Sequence, residues 1–183
     1  MKARIIFQKS LLICYIFIVS CQTNPPPVKT TAPLRMMDDT LLNMNRKVVK
    51  EESQEIDDFL ARYHWKTVTT STGLRYMIYH QGHGIRAVKG NAVKIRYSIK
   101  LLDGREIVGS VFPVTKVIQL GRGMTEVGLE EGILLLRVED RAKFIVPSHL
   151  AYGLLGDLKN IPERASLVYD LELLDVINTP LSH

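Results

Sequence analysis

Val93-Lys94-Ile95-Arg96-Tyr97-Ser98-Ile99-Lys100-Leu101 alternates apolar and polar residues without interruption, and Asp103-Gly104 follows directly. Strict period two marks a strand with one buried face, because successive side chains point to opposite sides of a sheet. Asp-Gly accepts the positive φ angles of a tight hairpin turn. Similar strand patterns recur at Leu74–Tyr79, Val114–Leu120, Arg141–Pro147 and Leu167–Val176. Between Leu120 and Arg141, the stretch Thr125–Leu136 reads as a short helix with one buried side. Several antiparallel strands around one inserted helix define an α+β domain.

Upstream of the strands the period changes. Met36–Tyr63 contains neither Gly nor Pro, and Leu41, Met44, Val48, Ile56, Phe59, Leu60 and Tyr63 fall largely on one helical stripe. The stripe breaks at Glu52, where an apolar residue is due. An amphipathic helix is expected there, packed on its own domain or paired with a partner. Gln22–Leu34 carries Pro25, Pro26, Pro27 and Pro33 among polar residues. That composition favours an extended polyproline tether and cannot bury a core. Met1–Ser20 has a basic start, an apolar run from Leu11 to Val19 and a small final residue, the layout of a secretory signal. Ile18-Val19-Ser20-Cys21 resembles a bacterial lipobox, which makes Cys21 the expected lipidation site. The expected organisation is a signal over 1–20, a tether over 21–35, a helix over 36–66 and a folded domain over 70–177.

Composition agrees with this division. The chain has 183 residues, 46% of them hydrophobic, which suits one domain with extensions. Its net charge of +5 is concentrated at the front: Lys2, Arg4 and Lys9 stand in the first twenty residues with no acid. The remainder is too balanced for the electrostatic footprint of a nucleic-acid binder. Beyond Cys21 no cysteine remains, so a processed chain forms no internal disulfide. His80 and His83 lack supporting Cys or carboxylate ligands nearby, and no metal site is expected. Gly121-Arg122-Gly123 lacks the third glycine of a dinucleotide fingerprint. Ser148 and His149 adjoin, and neighbours on an extended chain face apart. The chemistry expected is therefore one of shape and desolvation, with no cofactor.

Val93–Tyr97 with Asp103-Gly104, Leu120-Gly121, Gly128-Leu129-Glu130-Glu131-Gly132, Ile145-Val146-Pro147, Leu150-Ala151-Tyr152-Gly153, Ile161-Pro162 and Leu167–Leu174 together resemble an FKBP-type peptidyl-prolyl isomerase domain. Ser71–Tyr76 and Gly82-His83-Gly84 resemble the entry strand of exported bacterial members. The lipobox, the preceding helix and Pro147–Gly153 followed by Gly156-Asp157 resemble the gliding-motility-associated lipoprotein isomerases. The resemblance implies an antiparallel half-barrel sheet wrapped on one short helix, with the active pocket between them. It also implies rotation about X–Pro bonds, whose barrier of about 18–20 kcal/mol arises from amide resonance. A dry apolar pocket with one or two donors weakens that resonance without a nucleophile.

Carried over residue by residue, Tyr152 corresponds to the hydroxyl that bonds the substrate carbonyl, and Tyr97 to a pocket wall. Ile161 corresponds to the rim, and Tyr169 stands where the family has a buried Phe. Ile107 and Val108 replace a Phe-Asp pair, Thr125 and Glu126 a Val-Ile pair, and Leu129 the floor Trp. Lys116 aligns with a second pocket Phe, and Asp157 with a frequent His. Lys116 and Glu126 are expected to send their charged ends outward, while the backbone amide at 126 stays available as a donor. The implied partners are proline-containing exported polypeptides and, through the lipid anchor, a membrane, in a cell envelope and facing the periplasm. The alternative is a catalytically degenerate binding or chaperone module in an envelope complex.

Overall fold

A computed structural model of the chain describes residues 33–109 and 113–177, with side chains from Leu41 onward. The expected signal, Cys21 and the tether up to residue 32 lie outside the described residues. Helix α1 spans Pro33–Tyr63. It starts within the segment expected to be tether, where Pro33 suits a first helical turn that needs no N–H from it.

Strands β1 (Val68–Thr69), β2 (Arg75–His80), β3 (Ala92–Leu101), β4 (Glu106–Val108) and β5 (Val114–Gln119) precede helix α2 (Val127–Ile133). Strand β6 (Arg141–Val146), a 3-10 turn (Ser148–Leu150) and β7 (Leu167–Ile177) complete the order. The sheet runs β1-β2-β6-β7-β3-β4, with β5 also paired to β3. β5 lies along Ala92–Tyr97 and β4 along Ile99 and Lys100, so the two share one edge of β3. Every described pairing in the sheet is antiparallel.

Alternation along β3 works as the sequence predicts: Val93, Ile95, Ile99 and Leu101 are buried in the main core, and Lys94 and Arg96 are exposed. Phe144 opposes Tyr169, and Tyr97 opposes Leu171, so one face of the sheet presents a continuous apolar row. Helix α2 covers that face through Leu129 and Ile133. Its glycines allow the close approach. A Cβ at Gly132 would lie 2.8 Å from the Phe144 ring, and one at Gly128 would lie 2.4 Å from the Val146 side chain.

The other face is covered by the second half of α1. Ile56 and Phe59 are 0% and 5% exposed and pack with Ile145 and Val168 in a separate apolar cluster. Of the two expected packings for the helix, residues 52–60 adopt the one on their own domain. Glu52 explains the break in the apolar stripe. Its carboxylate accepts hydrogen bonds from Ser148 N at 2.6 Å, Ser148 Oγ at 3.0 Å and Ser166 Oγ at 2.6 Å. Arg75, itself buried, donates from β2 to Ser53 Oγ at 2.8 Å and to Asp57 at 3.2 Å. The helix is thus fastened to the sheet by a small apolar patch flanked by polar ties.

Candidate functional site

Tyr97 and Tyr169 occupy diagonal positions on β3 and β7, because Tyr97 pairs with Leu171 and Ile99 with Tyr169. Diagonal neighbours on one face lie within reach of aromatic rings, and these two ring centroids are 6.3 Å apart. Tyr152 enters from the segment after the 3-10 turn. Ser148 O accepts from Ala151 N at 3.0 Å and Gly153 N at 2.8 Å, which folds the segment back on itself. Thr125 and Glu126 stand immediately before α2. Leu129 and Ile161 are buried in the main core, and Ile107 and Val108 pack against it half-buried.

The carboxylate of Glu126 ties the cluster together. It accepts a short hydrogen bond from the Tyr152 hydroxyl and another from Thr125 Oγ1 at 2.6 Å. This corrects the outward expectation for Glu126: the carboxylate turns onto the tyrosines instead of snorkelling to water. Lys116, by contrast, is exposed on β5. Burial alone would raise the Glu126 pKa. Hydrogen bonds from Thr125, Tyr152 and its own backbone, with the field of Lys116, outweigh burial and hold it below the ordinary Glu range.

The phenols respond in the opposite sense. Burial, then the Glu126 hydrogen bond and charge, push the Tyr152 hydroxyl well above its usual value. Burial and the Glu126 charge raise Tyr97. Tyr169 is raised chiefly by burial and then by the charge of Glu126. All three hydroxyls stay protonated at neutral pH and can donate. The cluster can hold a carbonyl oxygen against a phenolic donor beside an apolar floor.

Several polar residues near the site have structural tasks that the sequence did not signal. Asp157 Oδ1 accepts from the backbone N–H groups of Lys159, Asn160 and Ile161 at 2.9, 2.8 and 2.7 Å, shaping the loop that delivers Ile161. Those donors hold its carboxyl below the ordinary Asp range. Glu130 accepts from Gly121 N at 2.8 Å, and Glu131 from Thr72 Oγ1 at 2.8 Å, so each of this adjacent pair has a structural partner. Ser148 donates to Glu52, whereas the His149 ring meets the Thr72 carbonyl at 3.0 Å, so the two act separately. Among the described residues no group of His, Cys, Asp or Glu is arranged to hold a metal ion. A groove of about 250 Å³ lined by Phe59, Tyr63, Trp65 and Lys143 lies apart from Tyr152. There Lys143 Nζ sits 5.0 Å from the Trp65 ring, a cation–π contact.

An antiparallel sheet packed on one short helix, with Tyr97 and the buried Tyr169 on its strands and Tyr152 on the loop after β6, defines an FKBP-like domain. Residues 84–174 match the model of the FKBP-type peptidyl-prolyl cis-trans isomerase family, and the domain belongs to that family. The chain is 40% identical over 91 residues to Peptidyl-prolyl cis-trans isomerase FKBP11 of Bos taurus, covering 50% of this chain and 45% of that protein. It is 36% identical over 115 residues to the FKBP-type isomerase FkpA of Aeromonas hydrophila, covering 59% of this chain and 40% of that one. The chain thus spans less than half the length of these two relatives. The crystal structure of FkpA from Escherichia coli aligns with a TM-score of 0.61 at 28% identity, over 80% of this chain and 68% of that one.

Proposed function

We propose that this protein is a peptidyl-prolyl cis-trans isomerase that turns X–Pro bonds in exported polypeptides. The observation that carries the reading is the Tyr152 hydroxyl, a donor hydrogen-bonded to Glu126 at the start of α2, in a domain whose core holds Leu129, Ile161 and Tyr169 with Tyr97 packed against it. An X–Pro amide that leaves water for this surface loses solvent stabilisation of its polar planar form. A phenolic hydrogen bond to the carbonyl then fixes the segment while the bond rotates. Proton transfer is not required, so Glu126 beside Tyr152 need not act as a general base.

Tyr152→Phe tests the reading, because it keeps the ring and removes one donor. A hydrogen bond is worth about 0.5–1.5 kcal/mol net, so kcat/KM for proline isomerisation should fall roughly 2- to 12-fold. An unchanged rate overturns the assignment of Tyr152.

The second reading, a binding module without catalysis, is favoured by the apolar residues beyond Tyr152. Leu154, Leu155 and Leu158 are exposed, Leu158 at 83%, which suits a surface that holds unfolded segments. Client binding without isomerisation of any peptide would select it. In either case the lipobox-like Ile18–Cys21 supports attachment to a bacterial envelope membrane through Cys21, most simply the outer membrane facing the periplasm, with gliding motility as the process served.

A further inference from the structure

We propose that Glu126 is a specificity-determining residue, selecting segments with a lysine or arginine beside the proline because its carboxylate already holds the Tyr152 hydroxyl inside the pocket. The inference rests on the isomerase reading for the use of the pocket, and on the geometry around Glu126 for the preference.

A phenol has one proton to donate. In the free protein the Tyr152 proton goes to a carboxylate, a better acceptor than a peptide carbonyl. The second carboxylate oxygen is taken by Thr125 Oγ1 at 2.6 Å. The Tyr152 donor that a substrate carbonyl would seek is therefore already engaged by this side chain. A neutral segment must break the charged hydrogen bond and leave the carboxylate half-buried with fewer partners, which is costly.

A segment with a cation beside the proline changes that balance. Its ammonium or guanidinium group pairs with Glu126 and compensates the carboxylate, and the Tyr152 hydroxyl turns to the substrate carbonyl. The surroundings favour the exchange. Glu126 and Asp157 both place negative charge at Tyr152. Lys116 is exposed on β5 and acts on Glu126 through its field, leaving the hydrogen-bonding positions to Tyr152 and Thr125. The same field repels a segment with Asp or Glu beside the proline. The ranking expected is basic, then neutral, then acidic.

The test uses three otherwise identical proline peptides with Lys, Leu or Glu immediately before the proline. Isomerisation and binding are measured on the whole chain and on its Glu126→Gln variant, with thermal unfolding as the check on folding. The native chain should prefer the Lys peptide over the Glu peptide by roughly tenfold at low salt, and the ratio should shrink as salt rises. In Glu126→Gln the ratio should contract to about twofold, while the rate on the Leu peptide rises, because an amide holds Tyr152 less firmly. An equal preference in both proteins, or none in the native chain, overturns the inference. If neither protein turns over any peptide, the isomerase reading fails, and the ratio of binding affinities then decides the selectivity. Absence of peptide binding by both overturns the selectivity as well.

Discussion

Removing the Glu52 carboxylate should destabilise the domain more than any other single change on α1 outside its apolar patch. Glu52 accepts three hydrogen bonds, from Ser148 N, Ser148 Oγ and Ser166 Oγ, and both serines are buried. Hydrogen bonds to charged groups are worth about 1.5–3 kcal/mol each, but this carboxylate is half-buried, and screening brings each nearer to about 1 kcal/mol. Glu52→Ala also strands a buried backbone N–H. The sum is a loss of about 2–4 kcal/mol, a large fraction of a typical domain's stability. In urea unfolding, with a slope of about 1–3 kcal/mol per molar, the midpoint should fall by roughly 1–2 M at unchanged slope. Glu52→Gln keeps one acceptor oxygen and should lose about half as much. A double-mutant cycle with Ser166→Ala should return a coupling of about 1 kcal/mol. A midpoint within about 0.3 M of the native chain would refute the reasoning, since it would mean that water replaces the carboxylate at no cost. The change should also reach the site. Ser148 O anchors Ala151 N and Gly153 N on either side of Tyr152, so loosening Ser148 should disturb the Tyr152 resonances in NMR spectra.

Gly132→Ala places a Cβ against the buried Phe144 ring and should cost about 1–3 kcal/mol by overpacking, read as a lower denaturation midpoint. Glu126 is held below the ordinary Glu range, so its contribution to stability is present above the unfolded Glu pKa and is lost as pH falls through the folded one. Acid unfolding of Glu126→Gln should accordingly show a shallower pH dependence than that of the native chain. Tyr97 and Tyr152 are raised, so their contribution is full below the unfolded Tyr value of about 10 and is lost as pH rises further. Ultraviolet titration of the phenols should show late ionisation that moves earlier in Glu126→Gln. Cys21→Ser should release the protein from bacterial membranes, and retention as unprocessed precursor alone would show an uncleaved helix instead of a lipid anchor.

The strands were legible because their burial is one-sided. β3, β5, β6 and β7 fall within a residue or so of the expected ranges, and parts of β3 and β7 show the alternating burial of a half-buried sheet. Helix α2 was legible in kind but not in extent: Leu134 and Leu136 continue the apolar pattern beyond its end at Ile133 because they pack into the core after the helix has ended. The two-residue β1 and three-residue β4 escaped notice, since segments so short carry no periodicity. Of the site, the tyrosines were legible by resemblance and the Glu126 geometry was not. Which way a long charged side chain turns depends on partners from other elements, here a hydroxyl twenty-six positions away.

Glu52 and Glu126 share one lesson. Each stands where a local pattern calls for an apolar residue, the first on the helix stripe and the second in the expected backbone-binding pair. Taken singly, each looks like a weakening of the fold or of the pocket. Both carboxylates instead gather donors from the segment that carries Tyr152: Ser148 at its start and the Tyr152 hydroxyl itself. A segment gripped at two points by ionised acceptors, one from outside the sheet and one from inside the pocket, has its position fixed by charge-assisted hydrogen bonds as well as by apolar packing. Departures from a local rule that converge on one segment mark where a protein trades consistency for function. On that ground Tyr152, more than the buried floor, is where a change in this chain should alter what it binds while leaving its fold intact, whereas Ser148 and Leu150 in the same segment are buried and hold the fold.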